Sequence, residues 1–461
     1  MSAGRDLVAV LDVGTSSVRS ALYGFDAEPI RGSETRVAYQ PRVDPSGRAE
    51  LDAVWLAGRC RSVLARTCRA VRARDRVGAV GVSCFWHSLL GLDGAGRPVT
   101  PVWLWSDQRS WRQAAELAAD RRLADVHDRT GAPLHTSYWP AKLAWCRAEQ
   151  PRLFERVRHW VSFTDYLYLA LFGDLGTTRS MASGTGLTRL DDGGWDRALA
   201  RRLGVDRATL PPPIEEYGAL RPAVRRELPS LAGARWFGAA GDGATATVGS
   251  DGDRNLRRAL TIGTSAAMRS ATAVRPASLP RSLWCYVIEE GTFLVGGAFN
   301  NGGNLHAWLA DRLHLGPERL ERALRRLPPA SAGLTFLPLL SGERSPGFAP
   351  RATGAISGLT EATTGIDVAR AGMEAVAVLL RPVDRGLDEL LSGTGRIVIS
   401  GGGLVRSGAW CQVVADTLGK PVSSVLVGEA SSRGAAILAL RRLGAPRPRR
   451  LPLARTWRPR P

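Results

Sequence analysis

Short apolar runs that end in tight polar turns dominate the chain. Leu7 to Leu11 is continuously apolar, ends in Asp12-Val13-Gly14-Thr15-Ser16-Ser17, and is followed by a second run from Val18 to Phe25. Runs of this length bounded by glycine and hydroxyl residues predict a strand, a tight turn and a returning strand. The same pattern recurs in the second half, where Ala259-Leu260-Thr261-Ile262 leads into Gly263-Thr264-Ser265 and an extended stretch to Ser270. Between them, Glu34 to Gln40 reads as extended. Asp52 to Arg74 reads as a helix, with Val54, Leu56, Ala57, Val63, Leu64 and Val71 on one face and arginines on the other. Val77 to Ser83 predicts a strand running into Phe85-Trp86-His87, and Leu89 to Val102 a hairpin turning at Asp93-Gly94-Ala95-Gly96. Helices are expected over Ser110 to Arg122, Trp139 to Ala148, Asn304 to Arg312, Ile366 to Leu380 and Ala409 to Leu418, with strands at Thr292 to Gly296 and Arg396 to Ser400. Leu210 to Pro229, rich in proline and glutamate, reads as surface loop. No short tandem repeat occurs; the repeated object is a whole lobe, with a boundary near Ser250.

Composition bounds the function classes. A chain of 461 residues with 44% hydrophobic content can bury a sizeable core in two large lobes. The formal net charge of +19 suggests nucleic acid at first sight, but Lys142 and Lys420 are the only lysines and the arginines are spread along the whole length. Spread arginine indicates solvated faces, so no nucleic-acid partner is expected. The dense basic stretch from Arg441 to Pro461 could contact an acidic surface, but a frayed tail is the favoured expectation. Cys60, Cys68, Cys84, Cys146, Cys285 and Cys411 lie far apart without metal-site spacing and read as buried thiols of a reducing compartment. Met1 to Asp6 lacks the apolar core of a signal peptide, and no run of about 18 uncharged apolar residues occurs. The expectation is a cytoplasmic protein with no membrane association.

Neither lysine sits in a phosphate-binding P-loop, so any phosphate would be held by backbone amides, hydroxyls and arginine. Gly14, Thr15, Ser16, Ser17 and Arg19 suit that task. A lone glycine-threonine turn is ordinary, but its recurrence at Gly263-Thr264-Ser265 favours paired anion-binding turns. Asp12, ending a buried strand, would cost several kcal/mol if left alone, so it calls for a hydrated metal ion or the plainer role of capping its own turn. Asp242, inside Gly241-Asp242-Gly243-Ala244, is the candidate general base that accepts an alcohol proton, with a simple turn aspartate as the alternative. Trp86 and His87 could face a polyol or serve as packing. Gly401-Gly402-Gly403 with Ser407 and Trp410 reads as a strand-turn-helix entry suited to a flat ring or a phosphate. His135 and Tyr138, ahead of Lys142, form a polar cluster or a capped helix start.

The chain resembles carbohydrate kinases of the FGGY family from about Leu7 to Leu440. The motifs, in order, are Asp12-Val13-Gly14-Thr15-Ser16-Ser17-Val18-Arg19, Trp86-His87-Ser88-Leu89-Leu90-Gly91-Leu92-Asp93, Gly241-Asp242-Gly243-Ala244 and Ile262-Gly263-Thr264-Ser265. They continue with Pro338 to Pro346, Gly354 to Thr360, and Gly401-Gly402-Gly403 with Trp410 and Gln412. The resemblance implies an α/β fold of two actin-like, ribonuclease H-like lobes around an ATP cleft, each built on a five-stranded sheet with helices on both faces. The N-terminal lobe would cover 1–250, the C-terminal nucleotide-binding lobe 251–445 and the basic tail 446–461. The resemblance implies Asp242 as catalytic base and magnesium reached from Asp12 through water. ATP phosphates would meet Thr15, Ser16, Ser17, Arg19, Gly263, Thr264 and Gly303, and adenosine Gly402, Gly403 and Ser407. The sugar would lie by Trp86, His87, Tyr138 and Asp242.

Within the family, His87 to Asp93, Pro98 to Val102, Trp105 to Arg109 and Asn300-Asn301-Gly302-Gly303 are most similar to gluconokinases. The implied reaction is ATP-dependent phosphorylation of gluconate to 6-phosphogluconate, with a xylulokinase or other ketose or polyol kinase as the alternative. A non-catalytic regulatory or nucleic-acid-binding protein on the same fold is the alternative of another class. Thr178 stands where an aspartate is common, and Trp139 and Cys146 depart from the usual pattern around Lys142. A monomer and a homodimer are both compatible with the sequence.

Overall fold

The first apolar run forms the strand Asp6–Val13, buried from Leu7 onward. The computed structural model describes residues 4–206, 209–253, 257–326, 328, 330–331, 333–391, 395–400 and 402–460. Asp6–Val13 lies inside a seven-stranded sheet ordered Glu216–Tyr217, Arg235–Phe237, Arg76–Cys84, Asp6–Val13, Ser17–Gly24 and Thr35–Ala38, with Ala240–Gly241 also on Arg76–Cys84. It pairs antiparallel with Ser17–Gly24 across the first glycine-threonine turn and parallel with Arg76–Cys84. The second half repeats the arrangement. Arg258–Ile262 pairs antiparallel with Ala266–Thr272 across the second turn and parallel with Ile397–Ser400. Its seven-stranded sheet runs Trp284–Glu289, Thr292–Phe299, Ala266–Thr272, Arg258–Ile262, Ile397–Ser400, Val422–Val425 and Leu453–Trp457. Each sheet therefore has seven strands where five were expected.

The chain folds as two compact units that are not contiguous in sequence. One comprises Met1–Gly249, Tyr286–Phe293 and Glu429–Arg449; the other comprises Ser250–Cys285, Leu294–Gly428 and Arg450–Pro461. The helix Ala430–Arg442 thus packs with the first unit, where it lies on the helix Asp242–Gly249 and the strand Arg76–Cys84. Within this unit the tryptophans Trp103, Trp139, Trp145 and Trp160 share one core cluster with Leu143 and Cys146. Trp139 also donates its indole N–H to the Ser88 carbonyl at 2.8 Å, so this departure from the family pattern is accommodated by packing.

Several local expectations differ from what is observed: the helix expected over Ile366 to Leu380 spans Gly365–Leu391, running through Pro382, and three further differences have local causes. The first helix spans Ala53–Cys68, not reaching Arg74; Asp52 caps its start by accepting from the Trp55 amide at 2.7 Å, and its apolar face ends at Cys68. The Leu210 to Pro229 stretch contains the strand Glu216–Tyr217 and the helix Pro222–Glu227, because Tyr217 stacks on Tyr168 at 4.1 Å and proline suits a first helical turn. The arginine- and proline-rich tail does not simply fray: Leu453–Trp457 adds an antiparallel strand to Val422–Val425, anchored by buried Trp457.

All six cysteines are free and buried. Among the described residues no helix is long and apolar enough to cross a membrane.

Candidate active site

Three adjacent parallel strands of the first unit end side by side, and the candidate chemistry sits on those ends. Asp12 pairs in register with Ser83, Ala240 pairs with Ser83 from the other side, and Gly241 pairs with Cys84. Asp12 and Asp242 therefore flank the end of one central strand, the strand that continues into Trp86 and His87. Carboxyl ends of parallel strands are where α/β sheets place their ligands, since the connecting turns there expose backbone amides and helix starts.

The first turn is closed by the Gly14 amide donating to the Ser17 carbonyl at 2.9 Å. Tyr39 braces it twice, with its amide on the Ser16 carbonyl at 2.9 Å and its hydroxyl on the Gly14 carbonyl. Thr15 accepts the indole N–H of Trp105 at 3.1 Å, Ser16 is exposed at the apex, and Ser17 Oγ lies 3.4 Å from Arg19 Nη2. Arg19 forms ion pairs with Glu429 and, at 3.6 Å, with Asp12. Ser432 Oγ donates to Asp12 Oδ2 at 3.4 Å. Burial pushes the Asp12 carboxyl above its ordinary range; Arg19 and a hydrogen bond from Ser83 oppose the rise, while the Asp242 charge adds to it. The two aspartates are thus electrostatically coupled. Burial likewise raises Glu429, again opposed by Arg19.

Asp242 opens the helix Asp242–Gly249 and is partly exposed; its Oδ1 accepts from the Gly243 amide at 2.7 Å. Behind it, Thr245 Oγ1 and Ser83 Oγ lie 2.9 Å apart, tying the helix to the central strand. The preceding Gly241 could carry no side chain, since a Cβ there would lie 1.8 Å from Cε2 of Trp86.

Trp86, His87 and Tyr138 come together. The Trp86 indole donates to the Ser180 carbonyl at 2.8 Å, and His87 Nδ1 bonds the Gly184 carbonyl. His87 adopts a φ of 66°, a left-handed backbone uncommon outside glycine. Its ring meets Tyr138 edge-on at 4.9 Å. Thr178, the other departure from the family pattern, caps the helix Arg179–Ser183 by accepting from the Met181 amide at 3.0 Å, the task an aspartate would also perform.

Lys142 is fully buried below this cluster, its ammonium donating to the Thr136 carbonyl at 2.9 Å and the Ser137 carbonyl at 2.5 Å. Burial brings its pKa from 10.5 down to about 7, against the pull of Asp107. Between those values the unfolded chain holds a proton that the folded chain has released, so the contribution of Lys142 to stability rises with pH across that window. Above about pH 8 the six buried thiols oppose this, because burial holds them protonated while the unfolded chain ionises them. Urea denaturation between about pH 7 and 8 should therefore show stability rising more steeply with pH for wild type than for Lys142→Met.

In the second unit, the Gly263 amide donates to the Ser265 carbonyl at 2.9 Å, closing the second turn. The helix Gly303–Arg312 starts against it: the Gly303 amide donates to the Gly263 carbonyl at 2.7 Å and the Asn304 amide to the Thr264 carbonyl at 3.1 Å. Gly263, Thr264 and Gly303 are therefore one local structure. Asn300 and Asn301 bind it to the Ser341-Gly342 stretch through carbonyl contacts at 2.7 and 3.2 Å. Gly402 and Gly403 open the short helix Gly402–Val405 after the strand Ile397–Ser400, and Gly401 lies outside the described residues. Ser407 caps the helix Gly408–Leu418 and donates to Glu321 at 2.6 Å.

Sequence reasoning missed Trp105, Tyr39, Glu429 and Tyr286, all of which touch the candidate residues of the first unit. Only Trp105 carried a local signal, within the Trp105 to Arg109 motif.

Residues 7–249 match the N-terminal domain, and residues 259–443 the C-terminal domain, of the FGGY family of carbohydrate kinases. The chain is 26% identical over 447 residues to a gluconokinase of Bacillus subtilis (strain 168), covering 93% of this chain and 86% of that protein. It is 32% identical over 381 residues to a xylulose kinase of Streptomyces rubiginosus, covering 81% and 76%. Among solved structures, gluconate kinase from Lactobacillus acidophilus superposes with a TM-score of 0.90 at 23% identity, over 99% of this chain and 94% of that one. The two sheet-bearing units and the ordered motifs agree with these matches, and the protein belongs to the FGGY family of carbohydrate kinases, phosphotransferases that act on sugar hydroxyls.

Proposed function

We propose that the protein transfers the γ-phosphoryl group of ATP to gluconate, forming 6-phosphogluconate. The observation that carries this reading is the placement of Asp12 and Asp242 on either side of one strand end that leads into Trp86 and His87. Asp242 is the partly exposed carboxylate of the pair and takes the role of general base: it accepts the acceptor hydroxyl's proton and aims the oxygen at phosphorus. Arg19, with the turn Thr15-Ser16-Ser17, holds phosphate oxygens. Gly263, Thr264 and Gly303 supply a second amide-rich turn for the same purpose, and Gly402, Gly403 and Ser407 the adenosine end. A single buried carboxylate with a neighbouring arginine fits magnesium held through water and phosphate rather than by a protein cage, and Asp12 is that carboxylate. Bound there, the ion supplies neutralisation of phosphate charge. Trp86, His87 and Tyr138 form the face that meets the polyol chain. Buried free thiols in all six cysteine positions accord with a cytoplasmic location.

The likeness to gluconokinases over most of the chain supports a sugar acid. The higher local identity to a xylulose kinase supports xylulose as the second reading. ADP release measured with gluconate, xylulose and glycerol separates them: gluconate should give a kcat/KM at least about tenfold above the others, and a preference for xylulose would overturn the choice of sugar.

A further inference from the structure

Tyr286 completes the aromatic cluster of the first unit from far along the chain. It lies on the strand Trp284–Glu289, and Tyr286–Phe293 counts with the first compact unit. Three contacts fasten this segment there. The Val287 amide donates to Ser183 Oγ at 2.9 Å, Glu289 pairs with Arg441 at 2.7 Å, and Glu290 pairs with Arg179 at 3.6 Å. The Tyr286 ring stands 4.9 Å from Trp86 and 5.5 Å, edge-on, from His87. Its hydroxyl lies 2.6 Å from that of Tyr138.

These contacts restrain the two groups assigned to the polyol face. The Gly184 carbonyl only accepts, so the His87 Nδ1 bonded to it carries a proton. Tyr138 and Tyr286 then hold the imidazole edge-on from two sides, which fixes the direction of Nε2. The phenol pair likewise restrains the Tyr138 hydroxyl, which either donates to Tyr286 or accepts from it. Tyr286 is buried together with Trp86, His87 and Tyr138, and its hydroxyl is engaged by that of Tyr138.

We propose that Tyr286 is a positioning residue for acceptor recognition, holding the Tyr138 hydroxyl and the His87 ring in the orientation that binds a polyol. The inference rests on the reading that this cluster faces the acceptor. The test is steady-state kinetics of wild type, Tyr286→Phe, Tyr138→Phe and the double variant, using whichever of gluconate, xylulose and glycerol the wild type phosphorylates best. Tyr286→Phe keeps the ring and removes the hydroxyl, so acceptor KM should rise about tenfold while kcat and ATP KM stay within about twofold. Because Tyr286 acts through Tyr138, the double variant should show no further rise beyond Tyr138→Phe. An unchanged acceptor KM in Tyr286→Phe, an equal rise in ATP KM, or additive effects in the double variant would overturn the proposal. A wild type that prefers xylulose overturns the gluconate reading and leaves the role of Tyr286 measured on xylulose.

Discussion

Asp242→Asn should lower kcat by about a thousandfold while leaving KM for ATP within about threefold, as measured by coupled ADP release. The amide is nearly isosteric and can still accept from the Gly243 amide at the helix start, so the fold around Asp242–Gly249 is retained. It cannot take a proton from the acceptor hydroxyl. General-base removal costs about a hundredfold to ten-thousandfold, and the residual rate comes from binding and orientation. The substitution also removes a charge that adds to the rise burial imposes on Asp12, so the Asp12 carboxyl should move part of the way back toward its ordinary range. A variant with wild-type kcat would show that Asp242 is only a helix-opening residue.

Gly434→Ala should destabilise the protein by about 2 kcal/mol and lower its activity with it. A Cβ at residue 434 would lie 1.8 Å from the Thr245 carbonyl oxygen and 2.5 Å from its carbon. Both are backbone atoms of the helix that begins at Asp242, so no side chain can swing away. The helix Ala430–Arg442 carries Ser432, bonded to Asp12, and follows Glu429, bonded to Arg19. Separating the two helices therefore moves Asp242 relative to the first turn. Alanine is the better helix former by about 1 kcal/mol, but overpacking against backbone costs up to about 3 kcal/mol, so destabilisation wins. Gly218 provides the control, because a Cβ there would meet nothing within 4 Å: Gly218→Ala should shift the urea midpoint negligibly.

Much of the fold was legible because its signals are local. Leu7 to Leu11 and Ala259 to Ile262 announce buried strands, and the glycine-threonine turns after them mark where each hairpin reverses. The pairing of Gly303 with Gly263 was approached only through the family resemblance, since forty residues separate them and no periodicity links them. Return crossings were opaque for the same reason. Ala430–Arg442 packs with the first unit because Gly434 and Gly249 allow backbone to meet backbone, a fit that neither glycine advertises in its own segment. The tail hid its strand because arginine and proline mask the apolar positions Leu451, Leu453 and Trp457, two of which are buried. At the candidate site, Asp12, Trp86 and His87 stood out by following strand-like runs, and Asp242 by standing between two glycines. Glu429 and Tyr286 did not, because each acts only through a partner brought close by the fold.

The central claim is that Asp242 drives phosphoryl transfer from ATP to a sugar-acid hydroxyl, and phosphorus NMR of the reaction mixture tests it most directly. With wild-type protein, magnesium, ATP and gluconate, a phosphomonoester resonance should grow in step with ADP, and Asp242→Asn should leave both flat over the same interval. Inorganic phosphate appearing in place of the monoester, or equal monoester formation by wild type and Asp242→Asn, would contradict the account.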